Sequence, residues 1–186
     1  LDGLDLPDVP LWAIWDVQQY AKDAGSQEAA KRYGKLVKDI LRFIIDQKHP
    51  NLKVAENGLV TTDGTKKPMT WMDASRPDGT PIIPRSGFVV EFNALWYNAL
   101  RFAQNLFADD VASVDDVKTW EELTDKIKAS FIATFLNDSG YLYDYVDGYY
   151  SDPSVRPNMI IAAGLDYSPL DRRQRKSVLD FVTREL

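Results

Sequence analysis

A chain of 186 residues with 22 basic and 28 acidic side chains carries a formal net charge of −6, and its 45% hydrophobic share suits a folded domain with a sizeable core. This balance offers no basic footprint for nucleic acid or an anionic membrane surface. The lack of cysteine excludes disulfides, thiolate metal sites and a cysteine nucleophile, and a single histidine, His49, excludes a multi-histidine metal site.

Helical spacing dominates the first third. Leu11, Ile14, Trp15 and Val17 predict a helix from Leu11 to Ala24 that ends at Gly25. Ser26 reads as the N-cap of a second helix, with Ala29, Tyr33, Val37, Ile40, Leu41 and Ile44 on one face, stopped at His49-Pro50. His49 there reads as a capping residue. The stretch from Asn51 to Gly87 breaks the pattern. Its Asn57-Gly58, Asp63-Gly64 and Asp78-Gly79 pairs signal turns, and Pro68, Pro77, Pro81 and Pro84 forbid a continuous helix. Leu59, Val60 and Thr61 read as a short hairpin strand, and ordered loops of this length usually carry function.

A third helix is predicted from Val90 to Phe107, and a fourth from Ser113, with Asp116 as a variant capping box, to Leu136. Asn137-Asp138-Ser139-Gly140 closes it, and a polar, aromatic loop follows from Tyr141 to Pro153. A short fifth helix spans Asn158 to Leu165, and Ser168-Pro169 caps a sixth from Leu170 to Leu186. Six helices in three hairpins with no strong sheet signal predict an all-α fold with the grammar of a helical repeat or toroid. The chain opens on Leu1, its methionines are Met69, Met72 and Met159, and its final helix runs to Leu186. It reads as a single segment, 1–186, truncated at both ends. No apolar run approaches the roughly 20 residues of a membrane span, and no signal-peptide pattern opens the chain.

Function is expected in the loops, where aromatics alternate with carboxylates and amides. Flat rings stack on the apolar faces of sugars, while Asp, Glu, Asn and Arg bond the hydroxyls. Each candidate also has a structural reading. Trp12, Trp15 and Trp96 lie at apolar helical spacing and suit core packing; Trp71, among prolines and turns, is harder to assign to a core. Asp73 suits a turn cap, Glu91 a first-turn carboxylate, Arg85 and Arg156 ordinary salt bridges, and the tyrosines from Tyr141 to Tyr150 a packed loop.

The segments DVPLW (8–12), WDVQQY (15–20), TWMDA (70–74), TPIIPRSGFVVEFNALWYNAL (80–100), GYLYDYVDG (140–148) and RPN (156–158) together resemble the amylo-α-1,6-glucosidase domain of glycogen debranching enzymes, relatives of glucoamylases. The resemblance spans nearly the whole chain. It implies an (α/α)6 toroid of twelve helices, of which six would be about half. It implies a cytoplasmic glycoside hydrolase that needs no cofactor, inverts configuration at α-1,6-glucosidic branch points, and has an α-glucan oligosaccharide or glycogen and the remainder of its own parent chain as partners. By motif position it makes Asp73 the general acid. Asp8, Trp12, Trp71, Arg85, Glu91, Asn93, Trp96, Tyr97, Tyr143 and Asn158 become the substrate-binding set. The base is a late glutamate with no motif match here. The alternatives are a non-catalytic carbohydrate-binding segment, a helical-repeat interaction fragment, and a trehalase-like (α/α)6 glycosidase. Asp73 is expected to be shielded by burial or by Glu91 or Asp8, so that it holds a proton.

Overall fold

The computed structural model describes residues 5–186, so the opening Leu1 to Leu4 lies outside the described residues. Six helices are present among them: α1 (Val9–Ala24), α2 (Ser26–Ile45), α3 (Val90–Leu106), α4 (Val114–Phe135), α5 (Asn158–Gly164) and α6 (Arg172–Glu185). The expected helix pairs α1–α2, α3–α4 and α5–α6 are each in contact. The molecule is organised around α3, which packs against α1, α2, α4 and α5 and is buried along almost its whole length. A helix surrounded on all sides has no polar face to give to water, and α3 accordingly carries Phe92, Ala94, Leu95, Trp96, Ala99, Leu100, Phe102 and Ala103 in its core surface.

Burial at the centre obliges the polar residues of α3 to find partners. The Asn98 side-chain amide donates to Gln18 of α1 at 2.7 Å and accepts from the Tyr167 backbone at 3.2 Å. Gln104 donates to Thr124 of α4 at 3.0 Å. These bonds have fixed lengths and directions, so they hold α3 in one register against its neighbours in a way that Leu and Ala cannot. Trp120 of α4 is 2% exposed and packs its ring 5.9 Å from Phe107.

The all-α expectation needs correction: a five-stranded antiparallel sheet accompanies the helices. Its strands β1 (Lys53–Val54), β2 (Val60–Thr62), β3 (Gly87–Val89), β4 (Tyr145–Asp147) and β5 (Tyr150–Ser151) pair in sequence order. Val54 faces Val60, Thr61 faces Phe88, Val89 faces Tyr145, and Asp147 faces Tyr150. Strands of two or three residues are too short to show an alternating pattern in sequence, which is why only the β2 hairpin was legible. The Tyr141–Pro153 loop is in fact the β4–β5 hairpin, turned by Gly148 (φ 57°) and Tyr149. The first hairpin is turned at Asn57-Gly58: the Gly58 amide donates to Ala55 at 2.9 Å, and the Asn57 side chain accepts from Leu59 at 3.1 Å.

Several termini also differ from expectation. Ser26 is the first residue of α2 rather than its cap. Ser113 makes no side-chain cap; its hydroxyl bonds Asp110, which caps a 3₁₀ turn (Val111–Ser113) ahead of α4. α6 begins at Arg172, because Asp171 and Gln174 form a reciprocal capping box that outcompetes the Ser168-Pro169 start. His49 does not cap α2. Buried beside Phe43, it accepts the Asn51 amide through Nδ1 at 3.1 Å and so shapes the turn that follows the helix.

β3 feeds directly into α3, which places the sheet over the first turns of the central helix. Asn93 fastens it there: its amide accepts from Val60 N at 2.7 Å and donates to Val60 O at 3.0 Å and Val89 O at 2.9 Å. The Trp96 indole donates to Gly58 O at 3.2 Å. Gly87 is required in β3, since its φ is 77° and a Cβ would press into the Val146 carbonyl of β4. Gly87→Ala is therefore expected to destabilise the fold by about 2 kcal/mol, lowering the thermal midpoint by roughly 4–8 °C in a circular-dichroism melt.

Candidate active site

Arg85 occupies the centre of a buried charge cluster where the sheet meets α3. It is 2% exposed and spends its guanidinium in two directions. Nη1 and Nη2 donate to the two oxygens of Glu91 at 2.5 and 2.6 Å, while Nε and Nη2 donate to Asp144 at 2.8 and 2.9 Å. The planar fork of arginine allows this double bidentate grip, and lysine has no equivalent. Arg156 adds a second cation from the rim, donating at 2.8 Å to Asp144 and at 2.8 Å to Asp152. Three carboxylates thus surround two guanidiniums.

Burial sets the electrostatics of this cluster. It is the largest influence on Glu91 and pushes its carboxyl upward, with the Arg85 bonds acting against it. Desolvation also acts to raise Asp152, but hydrogen bonds from Ser154 and Arg156 outweigh it and hold that carboxyl below its ordinary value. Asp8 at the start of α1 is shifted upward, because partial burial outweighs the backbone and Trp12 bonds it accepts.

From Asp144 the cluster extends toward the surface. Asn158, at the first turn of α5, donates its amide to Asp144 at 2.6 Å and accepts the indole N–H of Trp71 at 2.9 Å. The same Asn158 amide lies 3.4 Å from the sulfur of Met72. Trp71 is anchored at its nitrogen yet 53% exposed, so its ring stands as a fixed apolar surface open to solvent. Met72 N donates to Thr70 Oγ1 at 3.2 Å, and Asp73 follows with an exposed carboxyl. Beyond it, residues 74–82 fold back on themselves. Ile82 N donates to Ala74 O at 2.9 Å, Arg76 N to Thr80 O at 2.8 Å, and Asp78 caps the tip by accepting from Thr80 at 2.9 and 2.6 Å.

Of the residues singled out from sequence, Trp71, Arg85, Glu91 and Asn158 are joined in one hydrogen-bonded network, with Asp73 two positions along the chain from Trp71. Asp8, Trp12, Asp73, Tyr97 and Tyr143 make no hydrogen bond to it among the described residues; Trp12 packs edge-on against Trp15 at 5.6 Å. Asn93 and Trp96 are fully buried; Asn93 spends its amide on Val60 of β2 and Val89 of β3, and Trp96 its indole on the β1–β2 turn. Glu91 does not stand against a free Asp73; both its oxygens are taken by Arg85. The residues that sequence reading passed over are Asp144, the hub of the network, and Asp152. The signal for Asp144 was present, as an aspartate among tyrosines 12 residues before Arg-Pro-Asn, but nothing in its spacing points back to Arg85, 59 positions away.

Because Asp152 is held low when folded, an unfolded chain takes up its proton first as the medium acidifies. Its contribution to stability is complete above the ordinary carboxyl value of 3.8 and is lost as pH falls below it. Melting Asp152→Asn beside the native chain from pH 6 to pH 3 should show a difference that shrinks only at the acid end.

These features are a pinned exposed tryptophan, a neighbouring carboxylate and a buried network behind both, in a chain with no group of three His, Asp or Glu side chains placed to hold a metal among the described residues. No helix among them is long and apolar enough to cross a membrane. No curated protein matches the chain. A family description, amylo-alpha-1,6-glucosidase, matches residues 5–186. The chain belongs to the amylo-alpha-1,6-glucosidase family.

Proposed function

We propose that this chain forms a glucose-recognition wall and supplies the general acid of a glycoside hydrolase that cleaves α-1,6-glucosidic branch points of glycogen or related α-glucans with inversion. The observation that carries the reading is Trp71: an exposed ring held rigid by its own nitrogen, two positions from Asp73. A sugar loses little by stacking on such a ring, because the ordering of the side chain has already been met by folding. The six helices and three contacting pairs fit about half of an (α/α)6 toroid, with the remainder of the parent chain as the partner that completes it.

In this reading Asp73 protonates the departing oxygen as the anomeric carbon takes on oxocarbenium character, and a base on the opposite face removes a proton from the attacking water. Glu91 is committed to Arg85 and supports the wall; the base, as the family resemblance implies, is a late glutamate of the parent. Asp73 is exposed in this chain. The shielding expected from burial or from Glu91 is therefore not met within this chain, since both Glu91 oxygens are held by Arg85. The exposed Asp73 also suits a second reading, a carbohydrate-binding segment without turnover, in which Trp71 acts alone.

Two measurements test these readings: the first tests the sugar wall that both share, and the second separates them. Trp71→Ala is expected to weaken isomaltotriose binding by roughly 3- to 30-fold in a calorimetric titration, whereas Trp120→Ala lowers thermal stability and leaves the affinity of the folded fraction unchanged. In the complete parent enzyme, Asp73→Asn should reduce hydrolysis of α-1,6-linked glucosyl stubs by about 10²–10⁴-fold and leave binding largely intact. Glucosyl fluoride, whose leaving group needs little protonation, should be spared. An equal loss with the fluoride assigns Asp73 to the base, and full activity removes it from the mechanism.

A further inference from the structure

We infer that Asp144 is a positioning residue whose carboxylate, acting through the Asn158 amide, orients the Trp71 ring and the segment that carries Asp73. The argument rests on the order of donors and acceptors. Asp144 faces two arginines and, as a carboxylate, only accepts hydrogen bonds; the indole of Trp71 only donates. Between them Asn158 has one way to satisfy both neighbours, with its NH₂ toward Asp144 Oδ1 at 2.6 Å and its carbonyl toward Trp71 Nε1 at 2.9 Å. The charge on Asp144 therefore selects the amide orientation, and the amide orientation selects where the ring can stand. The same NH₂ lies 3.4 Å from Met72 Sδ, so Met72, which joins Trp71 to Asp73, rests against the oriented amide as well.

The supports behind this chain are rigid. Asp144 is fully buried, receives Arg85 and Arg156 on its oxygens, and is fixed by its backbone, whose amide donates to Asp152 O at 3.0 Å and whose carbonyl accepts from Val90 at the start of α3. Trp71, in contrast, lies in a loop without regular structure of its own and 87 positions from Asn158. Local chain geometry alone does not fix such a side chain. Hydrogen bonds from charged to neutral groups in a buried chain strengthen one another, so removing the charge at one end is felt at the other.

The inference builds on the reading of Trp71 as a sugar-binding wall, and the test keeps the two apart. In ¹⁵N spectra of the chain the Trp71 indole N–H is assigned by its disappearance in Trp71→Phe. Asp144→Asn, which presents an amide to Asn158 in place of an obligate acceptor, should speed exchange of that N–H about tenfold and weaken isomaltotriose binding about fivefold. The binding loss should vanish in the Trp71→Phe background, because a ring without the N–H no longer depends on Asn158. Should Asp144→Asn lose its fold by circular dichroism, Asp144→Glu retains the charge for both arginines while displacing the oxygen that meets Asn158, and the same changes are expected. Unchanged exchange and affinity in a folded Asp144 variant overturn the inference. If Trp71→Ala leaves isomaltotriose affinity unaltered, the sugar-wall reading fails, and indole exchange in the Asp144 variants still decides whether Asp144 positions the ring.

Discussion

A guanidinium removed from water has to be surrounded by charge, and the neighbourhood of Arg85 is built to that requirement. Breaking one side of a buried ion pair commonly costs about 3–5 kcal/mol, because the charge left behind can neither return to water nor find a substitute. Here the two carboxylates that satisfy Arg85 come from different parts of the fold, Glu91 from the first turn of α3 and Asp144 from the residue before β4. Holding Arg85 thus holds the sheet to the central helix. The close approach of Gly64 to the Arg85 carbonyl, where a Cβ would collide with backbone, brings the segment after β2 against the one that leads into β3.

The helices and the loops divide the work unequally. α3 and its neighbours supply bulk, burying Trp96, Trp120, Phe92, Phe131 and Phe135. Trp71, Arg85 and Asp144 stand on the segments between helices, and their polar atoms are tied to buried groups. Loops usually gain adaptability by leaving their polar groups to water. The 70–74 segment instead spends its tryptophan nitrogen on a buried asparagine and leaves the ring face free.

Periodicity made the helices legible: the 3.6-residue pattern located α1 to α4 to within a few residues, and Gly25, Pro50 and the Asn137–Gly140 cluster marked the ends. The sheet was hidden because each strand is shorter than one full alternation, and its pairing partners are brought together by helices the pattern of a strand cannot anticipate. The candidate site was visible as a set of motifs, since Trp71, Arg85, Glu91 and Asn158 were named by family resemblance. Their connection was not visible, because Asp144 joins them through space. Asn93 and Trp96 carry the same lesson in reverse: their motif suggested substrate contact, and in the fold they bind a hairpin's backbone.

The meander order of the sheet has a consequence for how the chain comes together. β3 and β4 are neighbours in the sheet but flank the whole of α3 and α4, and the Arg85–Asp144 pair spans 59 positions. Closing a loop of that length before any contact rewards it is entropically unfavourable, so such pairings form efficiently only once the intervening helices have packed. The helical pairs, made of near neighbours, can assemble early. On this order the ion cluster closes as their product, which ties the placing of Trp71 to the completion of the helical core and leaves a misfolded core without the Asn158 anchor for that ring.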